Sequence, residues 1–153
     1  MKPTPAGWPR ISASVFYDDP RAAIDWLCRA FGFEVRLKVE GDDGSIAHSE
    51  LTFGEGLVMV GGTKGGKEPW QAMYRSPGKL DGGTVTSALA IFVDDVDAHH
   101  AHAVAAGAKI MREPTTSDYG DDYWTDRSYG ALDPEGHLWW FMQRLRGPRE
   151  PVK

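Results

Sequence analysis

Val15-Phe16-Tyr17-Asp18-Asp19-Pro20 opens a helical stretch that ends at Phe31-Gly32-Phe33, and Ile91-Phe92-Val93-Asp94-Asp95-Val96 opens another that ends at Ala106-Gly107-Ala108. Both join an apolar strand-like run to an acidic cap, a helix and a terminating glycine. Each helix runs into a second strand-like run, Glu34-Val35-Arg36-Leu37-Lys38-Val39 and Lys109-Ile110-Met111-Arg112. Each half closes on an acidic-glycine turn and an apolar strand, Glu55-Gly56-Leu57-Val58-Met59-Val60 and Glu135-Gly136-His137-Leu138-Trp139-Trp140-Phe141-Met142. Two copies of a strand-helix-strand-strand-strand unit are too few for a solenoid. They can pair into one curved sheet around a cavity.

Working outward, residues 11–17 read as a strand, with Asp18 or Asp19 capping the helix and Pro20 in its first turn. Ile24, Leu27, Cys28 and Phe31 recur at helical spacing and define its buried face. Strands are predicted over 33–40, 46–53 and 57–60. The first module spans 11–61, a glycine-rich linker 62–86, and the second module 87–145. The linker carries Trp70, Met73 and Tyr74, which either fold over a cavity mouth or belong to a mobile connection. In the second module, strand 87–93 and helix 95–106 precede a strand over 108–113, which Pro114 cuts. An acidic, aromatic loop (115–123) and strands over 124–132 and 137–145 follow. Residues 1–10 read as a loose arm and 146–153 as a polar tail.

Composition is that of a globular chain, 41% hydrophobic and 25% charged. With 17 basic against 22 acidic residues the net charge is −5, and no basic stripe tracks a phosphate backbone, so nucleic acid is excluded as a partner. Arg144, Arg146 and Arg149 form a short basic cluster near the end. No apolar run reaches the roughly 18–20 residues of a membrane span. Cys28 is the single cysteine; it allows no intrachain disulfide, fits a reducing cytoplasm and reads as a core thiol.

The duplicated pattern, the helix entry Tyr17-Asp18-Asp19-Pro20-Arg21-Ala22-Ala23-Ile24-Asp25-Trp26, the phrase Phe31-Gly32-Phe33 and the turn Asp133-Pro134-Glu135-Gly136-His137 resemble the vicinal oxygen chelate superfamily. That group contains glyoxalase I, bleomycin-resistance proteins and extradiol dioxygenases. The resemblance covers residues 10–145. It implies an α+β fold of two βαβββ modules, a curved mixed sheet around a U-shaped cavity, and a homodimer that helps complete the cavity. Metalloenzymes of the family place one His, Gln or Glu ligand on each of four strands. Aligned on the motifs, those positions fall on Ser12, Glu50, Ala88 and Trp140. One carboxylate facing alanine and tryptophan is no ligand set for zinc, nickel or iron. The expectation is therefore no metal and no cofactor.

Strand periodicity separates two faces. Ala13-Val15, Leu89-Ile91-Val93 and Trp139-Phe141 suit packing beneath helices. Ser12-Ser14-Phe16, His48-Glu50-Thr52, Ala88-Ala90-Phe92 and Leu138-Trp140-Met142 suit a ligand cavity. His48 and Glu50, two apart on one strand, are either an acid-base or orienting pair or a cross-strand ion pair. Trp140, Trp124, Tyr123 and Tyr129 form either an aromatic wall or plain core. The candidate ligand-binding residues are thus Ser14, Phe16, His48, Glu50, Phe92, Trp124, Tyr129 and Trp140. His99, His100 and His102 read as surface histidines. Asp121, Asp122 and Asp126 near Arg127 read as a solvated loop. The expected function is metal-independent binding of an aromatic or cationic small molecule, the alternative a lyase, isomerase or dioxygenase with a non-standard site.

Overall fold

Two aspartates start the two helices. In the computed structural model, which describes residues 1–148, the Asp19 carboxylate accepts the Ala22 N–H at 3.0 Å and Pro20 occupies the first helical turn of α1 (Pro20–Phe31). Gly32, at φ 82°, ends the helix in the left-handed conformation that glycine adopts without penalty. Asp95 repeats the cap for α2 (Val96–Ala105), accepting the Ala98 N–H at 2.9 Å.

The chain divides into two compact units, Met1–Thr84 and the remainder from Val85. The first unit contains β1 (Ala13–Tyr17), α1, β2 (Glu34–Glu40), β3 (Ile46–Phe53) and β4 (Gly56–Gly62). Its sheet runs β1-β4-β3-β2, with β1 parallel to β4 and the other pairs antiparallel. The second unit contains β5 (Ala88–Phe92), α2, β6 (Lys109–Asp118), β7 (Thr125–Leu132) and β8 (Leu138–Arg146). Its order, β5-β8-β7-β6, and its strand directions are the same. The fold is α+β, two βαβββ modules.

Each sheet packs one face beneath its helix. In the first module Ile24, Leu27 and Phe31 of α1 are buried, as are Val15 and Tyr17 of β1, Leu51 of β3 and Val58 and Val60 of β4. In the second, Trp139, Phe141, Tyr129 and Ala131 are fully buried, with Val96 and Ala103 of α2. The Asp133 turn holds this core. Asp133 accepts the backbone N–H groups of Glu135 and His137 through one oxygen and the Trp139 indole N–H at 3.0 Å through the other.

Several expectations change. The linker is not structureless: it carries short 3-10 turns at Pro69–Met73, Pro77–Lys79 and Asp81–Gly83. The arm is anchored, since Arg36 donates to the Gly7 carbonyl and lies over the Trp8 ring, 5.3 Å from its centroid. Pro114 does not cut its strand. β6 continues to Asp118 because it is an edge strand and its register slips around the proline, so no ladder hydrogen bond is sacrificed. His99 and His100 are not surface groups but form the inner face of α2 with Val96 and Ala103. Asp126 is buried in β7, not in a solvated loop, and pairs with Arg144; Arg127 instead grips Asp97 at 2.7 Å and 2.9 Å. Arg144 and Arg146 belong to β8, while Arg149 lies outside the described residues.

Candidate ligand site

Opposite its helix, each sheet presents an open face, and matching registers make the two faces comparable residue by residue. In the first module Ser14, Met59 and Glu50 lie side by side on β1, β4 and β3. In the second, Ala90, Trp140 and Gly130 occupy the same row on β5, β8 and β7. This corrects the assignment of Glu50 to a metal-ligand strand. The counterpart of Trp140 on the last strand of the first module is Met59, and the counterpart of Glu50 is Gly130. With Met59 in place of Glu50, the four aligned positions hold no carboxylate. Among the described residues no group of three or more His, Cys, Asp or Glu side chains is placed to hold a metal ion. The residues do not fit the family's metal.

The first open face is internally satisfied. Glu50 is 5% exposed, lies 2.9 Å from His48 Nε2 and lies 3.3 Å from Arg36 Nε. Glu50 thus combines an in-strand contact with His48 and a cross-strand ion pair with Arg36. Phe16 lies against Gly61, where a Cβ would come within 3.1 Å of its ring. Tyr74 stacks on Phe16 with centroids 3.5 Å apart, and Trp70 meets Tyr74 edge-on at 5.7 Å. The linker aromatics thus cover their own module's sheet. Ser14 stays exposed beside them.

The second open face is aromatic and cationic. Trp140 lies over Gly130, so closely that a Cβ there would sit 2.9 Å from the indole. The Arg112 guanidinium lies over the same ring, 6.0 Å from its centroid. Arg144 is held by Asp126 and lies over Trp124 at 4.8 Å and Phe92 at 5.4 Å. Phe92 is 54% and Trp124 36% exposed, and Ala88 and Ala90 leave open space along β5. Tyr123 is exposed and packs edge-on against Trp124.

Tyr129 leaves this wall. It pairs with Phe141 across β7 and β8 on the helix side, fully buried, and its hydroxyl lies 2.7 Å from His99 Nδ1. Burial pushes its phenol well above the usual tyrosine range. His100 Nε2 lies 3.0 Å from Glu113 Oε2, a contact without hydrogen-bond alignment. Cys28 is partly buried, and desolvation raises its thiol, the opposite of nucleophile activation.

A separate surface cavity of about 280 Å³ lies at the start of α1, lined by Asp18, Arg21, Ser45 and Lys64 among others. Its charges are largely engaged: Arg21 with Glu40 and the Gly44 carbonyl, Asp18 with Thr63 and Lys79. The Thr63 hydroxyl in particular holds the Asp18 carboxyl below its usual range. Sequence reasoning missed Arg112, Arg144 and Arg36 as site residues. Arg36 and Arg112 sit at β-bulges, where alternation no longer tells which face a residue takes, whereas Arg144 follows Trp140 and Met142 at strand spacing, and that alternation could have found it.

Comparison with known proteins agrees with this architecture. Residues 11–141 match the family model described as Glyoxalase/Bleomycin resistance protein/Dioxygenase superfamily, and the chain belongs to that superfamily. The solved structure of TioX from Micromonospora sp. ML1 is 33% identical and superposes with a TM-score of 0.67, covering 90% of this chain and 100% of that one. An uncharacterized protein of Mycobacterium tuberculosis (strain ATCC 25618 / H37Rv) is 32% identical over 142 residues, 90% of this chain and 76% of the relative. A glyoxalase/bleomycin resistance protein/dioxygenase family enzyme from Burkholderia phytofirmans PsJN, 20% identical, shares the fold at a TM-score of 0.64, with 88% of this chain and 97% of that one covered.

Proposed function

We propose that this protein binds a planar aromatic small molecule without a metal, by stacking it against Trp140 on the open face of the second module. The observation that carries the reading is the seating of the indole on Gly130, which spreads a large aromatic surface over the sheet beside the small residues Ala88 and Ala90. Such a surface gains about 0.5–1.5 kcal/mol from a stacked ring beyond the area it buries. Of the two ligand classes the sequence suggested, the geometry favours the aromatic over the cationic. Glu50 is already compensated by Arg36, and Asp126 by Arg144, so neither carboxylate offers an uncompensated charge. Trp140→Ala should weaken binding of flat aromatic compounds by about tenfold, and Glu50→Gln should leave it unchanged, in titration calorimetry on folded protein. Unaltered affinity in Trp140→Ala would remove the site from this face.

A second reading is catalysis by the His48–Glu50 pair, favoured by their 2.9 Å contact. It requires that His48→Ala abolish turnover of some substrate. Elemental analysis of untagged protein tests metal independence: about one tightly held transition metal per chain would overturn it. Homodimerisation remains part of the proposal. It is supported by the edge strands that flank each four-stranded sheet, which sheet proteins commonly cover. Sedimentation as a 16.9 kDa species at micromolar concentration would refute it.

A further inference from the structure

We propose that the second module's open face selects planar aromatic carboxylates, with Arg112 receiving the carboxylate while Trp140 receives the ring. This names the ligand class for the stacking site above and rests on that reading.

The argument comes from the duplication. Both modules carry a β-bulge at the same point of the sheet. In β2, Arg36 and Leu37 together oppose Glu50; in β6, Met111 and Arg112 together oppose Gly130. Each bulge carries one arginine, at different positions: Arg36 is the extra residue of β2, whereas Arg112 takes the place of Leu37. In the first module the facing residue supplies the counter-charge, since Glu50 Oε2 is 3.3 Å from Arg36 Nε. In the second the facing residue is glycine, and Trp140 fills the space above it. Arg112 therefore lacks a carboxylate of the kind that Arg36 has. Its contacts are the Ser117 hydroxyl at 3.3 Å and the Trp140 ring. No carboxylate of the described residues forms an ion pair with it. Asp126 of β7 pairs with Arg144, and Asp118 of β6 with Arg146.

A guanidinium does not deprotonate to escape a missing partner, and its planar fork fits a carboxylate through two parallel N–H donors. Because Arg112 lies over the Trp140 ring, a carboxylate held there carries its attached ring to the indole. The group that satisfies the arginine in the first module is a carboxylate, which is why a carboxylate is the class assigned to the second.

The test uses 2-naphthoate and its neutral relative 2-naphthalenemethanol, titrated calorimetrically into the full chain, Arg112→Leu, Arg112→Lys and Trp140→Ala. Leucine is chosen because Leu37 holds that bulge position in the first module. The acid should bind at least about tenfold more tightly than the alcohol. Arg112→Leu should bring the acid down to the level of the alcohol, and Arg112→Lys should keep part of the preference. Trp140→Ala should weaken both. Equal affinities in the natural chain, or a preference that survives Arg112→Leu, overturns the carboxylate assignment and leaves stacking standing. Two compounds that bind but ignore Trp140→Ala, or that fail to bind at all, overturn stacking and this inference with it.

Discussion

The two modules share strand order, register and a bulge, yet they dispose of charge and aromatic surface in opposite ways. The first closes on itself: Glu50 neutralises Arg36, and Tyr74 lies on Phe16. The second leaves its counterparts open, with Arg112 lacking a carboxylate and Phe92 half-exposed beside an arginine. The helices differ in parallel. α1 docks through Ile24, Leu27, Trp26 and Phe31, whereas α2 docks through Val96, Ala103 and two histidines. A duplicated scaffold can thus keep one copy as a structural half and give the other the exposed chemistry, because the sheet's backbone pairing is indifferent to what its open face displays.

The largest expected effect tests the helix contrast. Leu27 is fully buried, so Leu27→Ala should cost about 2–5 kcal/mol in denaturant unfolding. In α2 part of the docking is the hydrogen bond between His99 and Tyr129, and Tyr129→Phe should cost only about 0.5–1.5 kcal/mol. Equal losses would erase the distinction between an apolar and a polar dock.

The charge contrast comes next. Glu50→Ala leaves the half-buried Arg36 without its counter-ion and should destabilise by about 1–3 kcal/mol. Arg112→Leu removes no ion pair and should stay within about 0.5 kcal/mol. If Arg112→Leu proves as damaging as Glu50→Ala, the second open face is structural.

The smallest effect concerns acid. Asp18 in the first module is held below its usual range by the Thr63 hydroxyl, and Asp97 in the second by its hydrogen bonds with Arg127. A carboxyl with a depressed folded pKa contributes stability that is complete above its unfolded value, near about 4, and fades as pH falls through the folded value. Thermal melting should therefore be flat above about pH 5 on this account and decline below it. Arg127→Gln should blunt the part of the decline that belongs to Asp97. Both groups are solvent-facing, so the differences are small. A decline unchanged in Arg127→Gln would assign the acid sensitivity to other carboxylates.

The duplication, the helices and most strands were legible in the sequence because caps, glycines and hydrophobic spacing are local signals. Asp19, Asp95 and Gly32 act where their residue types say they should. What stayed illegible depends on pairing between distant strands. The slip that sets Leu37 rather than Arg36 opposite Glu50 has no mark in the sequence, and neither does the one that carries β6 through Pro114. Tyr129 shows the same limit: the sequence leaves it in either an aromatic wall or the core, and its pairing with buried Phe141 is what puts it in the core on the helix side. His99 and His100 were misread because a polar side chain on a helix is usually solvated. Here α2 meets a tyrosine hydroxyl that an imidazole can satisfy.

The seating of Trp140 on Gly130 also ties the two positions to each other. With the indole where it lies, a side chain at residue 130 would bring its Cβ to 2.9 Å from the ring, so the ring would have to swing away to admit it. A carboxylate opposite the bulge, as in the first module, would therefore displace the indole from the sheet. At this one row the charge of the first module and the aromatic surface of the second compete for the same space.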